Sequence, residues 1–238
     1  MGDKDQIIDT FTELAPRYEQ VVDSELQTFW GWSYSDFVNQ IIDVTTIRAG
    51  EIVLDIATGT AVIPRRLVDR DGDAQKIFGL DLTFAMLQGG KDKLHEKTEY
   101  ADIKLVCASA MDMPFKQDVF DVIICGLATH HMDVHKLLTD IHRIIKPGGS
   151  LTIADVSASP LWSLPGVKML LMTLTFLYFV FKEGINRAFA EAKAVSNIRT
   201  SREWQRTLKE TGFSNFQITS LASHRSWIPA PLIVQAWK

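Results

Sequence analysis

The sequence predicts an α/β protein with a mostly parallel sheet, and two observations support this fold class. Between residues 51 and 155, short and continuously apolar runs alternate with amphipathic helical patterns, which is typical of parallel strands covered by helices on both faces. Two later strand candidates, Phe213–Leu221 and Leu232–Trp237, lie too close together for a crossover helix and should pair antiparallel at the sheet edge. We therefore expect seven strands: five parallel strands and a C-terminal antiparallel pair.

The parallel part of the sheet is predicted by five apolar runs. They are Ile52–Ile56, Ile77–Leu80, Ile103–Cys107, Phe120–Cys125 and Leu151–Ala154. Helices are expected between most of them, for example over Phe84–Leu94, where Thr83 is placed to cap the first turn. Asp133 is placed to cap the helix before the fifth strand, and Lys146-Pro147-Gly148-Gly149 is expected to end that helix.

Helical patterns also flank this central block. On the N-terminal side, an apolar face covers Ile7–Ala15, and an aromatic-rich helix is expected over Phe29–Val44. On the C-terminal side, the patterns predict a charged helix over Ile185–Val195 and a last helix over Glu203–Thr211, which Ser201 is placed to cap.

Composition excludes several classes of protein. The chain has 238 residues, 46% of them hydrophobic, with a mean hydropathy of +0.03, which argues against intrinsic disorder. Its net charge is −4, from 25 basic and 29 acidic residues, and it has no basic run, so a nucleic-acid binder is not expected. Cys107 and Cys125 lie in apolar runs and are expected to be reduced core thiols.

The strongest functional signal is the first strand-to-helix turn, in residues 53–61. Ligands of open α/β sheets bind beyond the carboxyl ends of the strands, where small residues allow a close approach to the backbone. Asp81 ends the second strand, and a carboxylate there can accept both hydroxyls of a ribose. A dinucleotide site needs three glycines, but Ala57, Gly59 and Val62 hold these positions, so a cofactor without phosphates fits better.

Six short motifs follow one another along nearly the whole chain. They are Phe11-x-x-x-Ala15-Pro16-Arg17-Tyr18, Val53–Ala61, Gly79–Leu82 with Met86-Leu87, Ala110–Phe115, Phe120–Val122 and Ile145–Gly149. In this order they resemble the class I S-adenosylmethionine-dependent methyltransferases, and most closely the ubiquinone/menaquinone-biosynthesis methyltransferases and their small-molecule relatives. The resemblance implies a Rossmann-like sheet with a helical lid, S-adenosyl-L-methionine as the cofactor and S-adenosyl-L-homocysteine as its product.

The resemblance also implies thirteen cofactor-binding residues, spread over the lid, the first turn and the ends of three strands. They are Tyr18, Asp55, Ala57, Thr58, Gly59, Thr60, Asp81, Leu82, Met86, Ser109, Ala110, Met111 and Gly126. The chain departs from the family at three places. The common G-x-G of the first turn is reduced to Ala57, Gly59 and Ala61. Ser109 stands where an adenine-binding aspartate is frequent, and His130-His131 stands where the quinone enzymes have arginine-asparagine, so acceptors other than quinones remain open.

Methyl transfer asks the protein mainly for geometry. Holding the nucleophile in line with the methyl group, ~3 Å away, can be worth ~7–11 kcal/mol. A phenol or enol must also lose a proton, and a histidine suits this task. His131 is the preferred candidate for this catalytic base, with His130 second. Together with Asp133 and His135 these histidines resemble a metal cluster, but Asp133 is better explained as a helix cap, and we expect no metal.

A second enzyme class is suggested by Tyr178-x-x-x-Lys182. Short-chain dehydrogenases use this spacing after the fifth strand, with a serine upstream, and Ser163 lies upstream here. Because the glycines of an NAD site are absent and Tyr178 lies in an apolar run, we interpret this match as chance.

The longest apolar run, residues 169–181, is interpreted as a lid helix. Its 13 residues are fewer than the ~20 that a bilayer-spanning helix needs. Packing in the core is the simpler expectation, and peripheral membrane contact through residues 161–181 is the alternative. The N-terminal residues lack the pattern of a signal peptide, so a cytoplasmic location is expected.

Aromatic residues are concentrated in the two ends of the chain. Of 23 Phe, Trp and Tyr residues only five lie between residues 51 and 155, and all six tryptophans lie outside this block. The ends are therefore expected to cover the sheet and line an acceptor pocket. The candidates for this lining are Trp30, Trp32, Trp162, Phe176 and Phe179.

We therefore expect one methyltransferase domain over residues 1–238. Its parts are an N-terminal helical lid (1–45), a cofactor-binding core (51–155), a hydrophobic helical lid and acceptor region (157–198) and a C-terminal helix and β-hairpin (200–238). The expected reaction moves a methyl group to a carbon or oxygen nucleophile of a small hydrophobic acceptor, such as a quinone-like, polyketide- or terpenoid-like, or prenylated metabolite. The alternatives are a membrane-lipid methyltransferase and a protein that binds the cofactor but catalyses a non-methylating step or acts as a binding module.

Overall fold

The computed structural model describes residues 3–71, 76–223 and 228–238. These residues form a seven-stranded sheet covered by helices. The strands are β1 (Ile52–Ile56), β2 (Lys76–Asp81), β3 (Lys104–Cys107), β4 (Phe120–Gly126), β5 (Ile145–Asp155), β6 (Asn215–Ser220) and β7 (Leu232–Trp237). Their order is β3-β2-β1-β4-β5-β7-β6, with β1 to β5 parallel and β7 antiparallel to both β5 and β6. The predicted fold class, with its antiparallel C-terminal pair, is confirmed.

Nine α-helices lie in the described part of the chain. They are α1 (Asp3–Leu14), α2 (Tyr18–Trp30), α3 (Tyr34–Val44), α4 (Val62–Asp71), α5 (Phe84–Leu94), α6 (Val134–Ile144), α7 (Pro165–Lys182), α8 (Ile185–Ala194) and α9 (Ser201–Glu210). Short 3₁₀ turns connect several of them, including Thr129–His131 after β4 and Pro160–Ser163 before α7.

The sheet is covered on both faces, because neighbouring strand residues point to opposite sides. Val53 of β1 belongs to a buried cluster with residues of α3 and α4, such as Phe37 and Leu67. The next residue, Leu54, belongs to a second cluster with residues of α6 and α9, such as Trp204. Both faces of the central strands are buried, which explains why the parallel strands have continuous rather than alternating apolar sequences.

The predicted helix over Phe29–Val44 is wrong at its start. The chain forms two helices here, α2 and α3, and α2 was not predicted. Gly31 ends α2 with a left-handed backbone (φ 77°), and its N–H donates to the carbonyl of Leu26 at 3.0 Å. Ser33 then caps α3 by accepting from the Asp36 N–H at 3.0 Å.

Strand β5 begins at Ile145, six residues earlier than predicted. The Pro-Gly-Gly sequence therefore lies inside the strand rather than in a loop, and the pairing with β4 is irregular between Phe120 and Val122. Gly149 lies against the β4 backbone, where a Cβ atom would come within 2.8 Å of the Asp121 carbonyl oxygen. Asp121 also accepts from Lys146 Nζ at 2.7 Å, which ties the start of β5 to β4.

Two burial expectations are wrong. Helix α7 does not pack in the core: among its described residues only Phe179 is buried. In length and composition α7 is the one helix in the described chain that could cross a membrane. Cys107 is exposed because it lies on the edge strand β3, whereas Cys125 on the central strand β4 is buried, and both are free thiols.

Helix α9 is capped by Thr200 rather than by the predicted Ser201. Thr200 Oγ1 accepts from the Glu203 N–H, and the Glu203 carboxylate accepts from the Thr200 N–H at 2.7 Å, which is a complete capping box. Of two other predicted helix caps, one is confirmed and one is wrong. Asp133 accepts from the Lys136 N–H at 3.1 Å, whereas Thr83 makes no side-chain capping bond.

We expect Thr200→Ala to lower the free energy of unfolding by about 1 kcal/mol, because it removes the capping oxygen of α9. Urea unfolding followed by circular dichroism measures this loss. Ser201→Ala is the matched control and should change stability by less than about 0.5 kcal/mol. Equal losses in the two variants would contradict the capping box.

Candidate functional site

Two cavities lie beyond the carboxyl ends of the strands. The smaller, here called the sheet-edge cavity, has a volume of about 260 Å³ and lies where the strand order turns back from β1 to β4. The larger, here called the lid cavity, has a volume of about 650 Å³ and extends between α2, α7 and α8. Four residues line both cavities: Phe11, Tyr18, Leu127 and His131.

The turn after β1 has an unusual backbone. Ala57, Gly59 and Ala61 all have left-handed φ angles, between 55° and 59°. Such conformations are uncommon for alanine and cluster at functional sites. A Cβ atom on Gly59 would lie 3.5 Å from the Tyr18 ring, an ordinary contact distance, so the left-handed φ rather than crowding favours glycine here.

Asp81 holds two turns together. One carboxylate oxygen accepts from the Gly59 N–H at 2.9 Å and the other from the Thr83 N–H at 2.8 Å. Burial raises the pKa of Asp81, and these backbone donors oppose that shift. Each carboxylate oxygen has a further lone pair, so the group can also accept ribose hydroxyls from the cavity that it lines.

Ten of the thirteen predicted cofactor residues line the sheet-edge cavity. They are Tyr18, Ala57, Gly59, Asp81, Leu82, Met86, Ser109, Ala110, Met111 and Gly126. Gly126 is crowded, because a Cβ atom there would lie 3.2 Å from Ile63 and 3.3 Å from Ile41. The Ser109 hydroxyl accepts from the Met111 N–H at 3.1 Å and so shapes the loop after β3.

The other three predicted residues, Asp55, Thr58 and Thr60, are buried outside the cavity wall. Thr60 donates to Glu19 at 2.6 Å. Within the described residues, both carboxylate oxygens of Asp55 and the hydroxyl of Thr58 are buried without a hydrogen-bond partner. Burial raises the pKa of Asp55 to about 7; the adjacent Thr58 hydroxyl opposes this rise and the charge of Asp81 adds to it. A ligand with a cationic amino group next to this turn would provide the missing partner.

The lid cavity has mostly apolar walls, and its charged lining residues are Glu25, Arg187 and Glu191. Of the five predicted aromatic candidates, Trp30, Trp162 and Phe179 line it. Trp32 instead donates its indole N–H to the Ala222 carbonyl at 2.6 Å, and Phe176 packs against Phe189 at 4.9 Å between ring centroids.

His130 is oriented by a buried carboxylate. Its Nδ1 lies 2.6 Å from Asp155, which also accepts from the Thr129 hydroxyl and from the backbone N–H groups of His130 and Val156. Burial alone would lower the pKa of His130, but the negative charge and hydrogen bond of Asp155 raise it above its ordinary value. Since a carboxylate only accepts, Nδ1 carries a proton, and in the neutral ring Nε2 is the nitrogen that can accept one; His130 lines the lid cavity.

His131 has a different environment. It contacts the edge of Phe11, with ring centroids 5.5 Å apart, and it lies beside His130. Burial and the adjacent His130 lower the pKa of His131 to about 3, so it is a neutral group at physiological pH. Of the two predicted bases, His130 therefore has a carboxylate partner, Asp155, whereas His131 lines both cavities.

A cluster of charges joins the lid helices. Arg187 of α8 lies 3.2 Å from Glu25 of α2 and 2.8 Å from Glu191, and its guanidinium lies over the rings of Phe11 and Phe179. Burial raises the pKa of Glu25 to about 7. These contacts tie α8 to α1, α2 and α7 at the wall of the lid cavity.

The histidine segment does not form the metal cluster that its spacing resembles. His135 is exposed and Asp133 caps α6, as expected. His130, His131 and Glu191 do offer ligand atoms within 4.8 Å of one another. However, Glu191 is already paired with Arg187 at 2.8 Å, which disfavours a metal ion at this group. The expectation that no metal binds stays a prediction.

The Tyr178–Lys182 pair also has a simple structural role. Lys182 Nζ donates to the Tyr178 hydroxyl at 3.2 Å on α7, and Tyr178 lines the lid cavity rather than the sheet-edge cavity. The side chain of Ser163 lies outside the described part of the structure.

Three residues of the site, Asp155, Arg187 and Glu191, are not among those predicted from the sequence. Asp155 could have been found, because it is the ionisable residue at the carboxyl end of β5, as Asp81 is at the end of β2. Arg187 and Glu191 gave no such signal, since a charged helix is ordinarily solvated.

Comparison with known proteins agrees with this architecture. A profile of the ubiE/COQ5 methyltransferase family matches residues 2–222. Two relatives are the ubiquinone/menaquinone biosynthesis C-methyltransferase UbiE of Idiomarina loihiensis, 31% identical over 65% of this chain, and the demethylmenaquinone methyltransferase of Lysinibacillus sphaericus, 27% identical over 70%. The matches span 60% and 67% of these relatives' lengths.

Solved structures show the same fold at low sequence identity. Geranyl diphosphate C-methyltransferase from Streptomyces coelicolor A3(2) has a TM-score of 0.67 at 16% identity, over 92% of this chain and 83% of that one. Phosphoethanolamine N-methyltransferase 2 from Haemonchus contortus has a TM-score of 0.66 at 16% identity, over 96% of this chain and 60% of that one.

The fold and the site at its switch point thus define a class I methyltransferase architecture. Within that class, the chain belongs to the ubiE/COQ5 methyltransferase family.

We expect the two histidines to titrate far apart. In histidine-selective NMR, His130 should titrate above its usual 6.5 and His131 should stay neutral until the solution is strongly acidic. Asp155→Asn removes the carboxylate charge, so burial then dominates and the pKa of His130 should fall. A His130 pKa unchanged by Asp155→Asn would contradict the assigned pair.

Proposed function

We propose that this protein is an S-adenosyl-L-methionine-dependent methyltransferase that acts on a small hydrophobic acceptor. The observation that carries the proposal is the shared wall of the two cavities at Phe11, Tyr18, Leu127 and His131. A cofactor in the sheet-edge cavity and an acceptor in the lid cavity would meet at this wall. The family and the apolar lid cavity support the same assignment.

The residues of the sheet-edge cavity fit the cofactor. Asp81 would accept the ribose hydroxyls, Leu82 and Met86 would flank the adenine, and the turn at Gly59 would admit the methionine part under Tyr18. Asp55 would stabilise the cationic amino group, either through the backbone of the turn or after a small shift of its side chain. We propose that α1 and α2 form the N-terminal lid and that α7 and α8 form the acceptor lid.

Calorimetric titration with S-adenosyl-L-homocysteine tests the cofactor site. Asp81→Ala should weaken binding by about 2–4 kcal/mol, or roughly 30- to 1000-fold, because charge-assisted hydrogen bonds to the ribose and the two turns are lost. Asp102→Ala, which removes an exposed acid near β3, is the control and should bind as the parent does. No binding by the parent protein, or unchanged binding by Asp81→Ala, would refute the assignment.

The acceptor is proposed to be a quinone-like or other aromatic or prenylated molecule. The lid cavity is large enough for such a molecule, since ligand pockets commonly measure ~300–1,000 Å³, and its walls include Trp30, Trp162 and Phe179. The names of the two relatives refer to quinone biosynthesis, which supports a quinone-like ring. We propose methylation at carbon, or at oxygen when the acceptor presents a free phenol.

His130 is proposed to act as the catalytic base. Its free Nε2 would take the proton from an acceptor hydroxyl or ring carbon, while Asp155 stabilises the resulting imidazolium. When bound, the cofactor supplies a methyl group on a sulfonium, and the electrons of the broken S–C bond stay with sulfur. His131, which is neutral and lies between the cavities, would shape the path of the methyl group and exclude water. This order of roles reverses the preference from sequence.

His130→Asn should lower kcat by roughly 10²–10⁴-fold, because it removes the base while keeping a polar side chain of similar size. The rate of the parent enzyme should rise with pH through a value above 6.5, as His130 loses its proton, and Asp155→Asn should move this rise to lower pH. His131→Asn is the matched control and should lower kcat much less. A larger effect at His131 than at His130 would restore the sequence-based preference.

Detection of S-adenosyl-L-homocysteine separates the remaining candidates. A methyltransferase forms it together with a methylated acceptor, whereas a binding module or a non-methylating enzyme does not. Mass spectrometry of cell extracts incubated with the protein and labelled cofactor would identify the acceptor by one added methyl group. We propose a cytoplasmic location for this reaction.

A further inference from the structure

The outer side of α7 is an exposed apolar stripe. Leu170, Leu174, Leu177 and Phe181 follow one another at intervals of three or four residues and so lie on one side of the helix. Phe181 is 88% exposed and Leu170 57%. Met169 and Leu161 extend the stripe toward the preceding turn and are also exposed. A contiguous apolar surface of this kind marks an interaction site.

One exposed lysine lies beside the stripe, and residues 157–190 offer it no accessible acid. Glu183 is the only acidic residue between residues 157 and 190. Its side chain is 5% exposed, and its carboxylate lies 2.6 Å from Arg17. Lys182, in contrast, is exposed at the end of α7. Apolar side chains beside lysine, without free carboxylates, match the anionic surface of a lipid bilayer.

The stripe continues into the wall of the lid cavity. Leu174 and Tyr178 line that cavity, yet they are also 52% and 37% exposed. The cavity wall and the stripe therefore meet along α7. A path from the stripe into the lid cavity would pass Leu174 and the ring of Tyr178, whose hydroxyl accepts from Lys182.

We propose that this stripe docks on the surface of an anionic lipid bilayer, with α7 lying in the plane of the interface. A second copy of the chain would offer the exposed Lys182 no accessible carboxylate from its own α7, because Glu183 is buried against Arg17, and we keep it as an outcome of the test. The acceptor would then enter the lid cavity from the leaflet, and this last step rests on the proposed function.

Vesicle co-sedimentation of the full chain, without cofactor or acceptor, tests the docking. We expect binding to vesicles of phosphatidylcholine with phosphatidylglycerol and weaker binding to phosphatidylcholine alone. Leu170→Glu and Phe181→Glu should each weaken vesicle binding about tenfold or more. Phe84→Glu is the matched control: Phe84 is 68% exposed but lies on α5, away from the stripe, so vesicle binding should not change.

The outcomes separate this proposal from its alternatives. A parent protein that stays in the supernatant overturns it, and so does an equal loss in Phe84→Glu. A dimer seen by sedimentation velocity and broken by Leu170→Glu would assign the stripe to a second copy instead. Far-UV circular dichroism and thermal unfolding of each variant show that the fold is kept. Because the vesicle assay contains no cofactor or acceptor, its result does not depend on the methyl-transfer assignment.

Discussion

The site depends on buried carboxylates at the ends of parallel strands being satisfied by backbone N–H groups of neighbouring turns. Asp81 at the end of β2 accepts from Gly59 in the turn after β1 and from Thr83 at the start of α5. One side chain thereby fixes two adjacent turns. Because an unsatisfied buried charge would cost several kcal/mol, the turns cannot separate without a large loss, and the sheet-edge cavity keeps its shape.

Asp155 repeats this arrangement at the end of β5. It accepts from two backbone N–H groups, from Thr129 and from His130, and the same contacts lower its pKa against the effect of burial. The two aspartates therefore have related tasks on the two sides of the switch point between β1 and β4. Asp81 shapes a binding surface, and Asp155 fixes the tautomer and direction of an imidazole. Both lie at the carboxyl end of a parallel strand, which is where ligands of open α/β sheets bind.

The strands were predictable because each is a short apolar run bounded by turn residues, and β1 and β7 begin and end at the predicted residues. The end of α2 at Gly31 also has a local signal, a glycine followed by Ser33 as a cap, but the aromatic-rich pattern around it predicted one continuous helix. The exposure of α7 could not be predicted, since an apolar sequence predicts burial and only packing shows which side is left uncovered. The same limit applies to Arg187: spacing places it on a helix, but its partner Glu25 is 162 residues away in the chain.

Helices α6 and α7 use their apolar residues in opposite ways. In α6 the apolar residues Leu137, Leu138 and Ile141 are buried, and the polar face meets water. At the lid the charged residues Arg187 and Glu191 of α8 point inward, while α7 presents leucines and Phe181 to the outside. Leaving a leucine or phenylalanine exposed forgoes about 1.5–3 kcal/mol of burial. The stripe therefore contributes no burial energy to the lid by itself, and the lid is joined to the rest of the chain in part by the contacts of Arg187 with Glu25 and with the Phe11 and Phe179 rings.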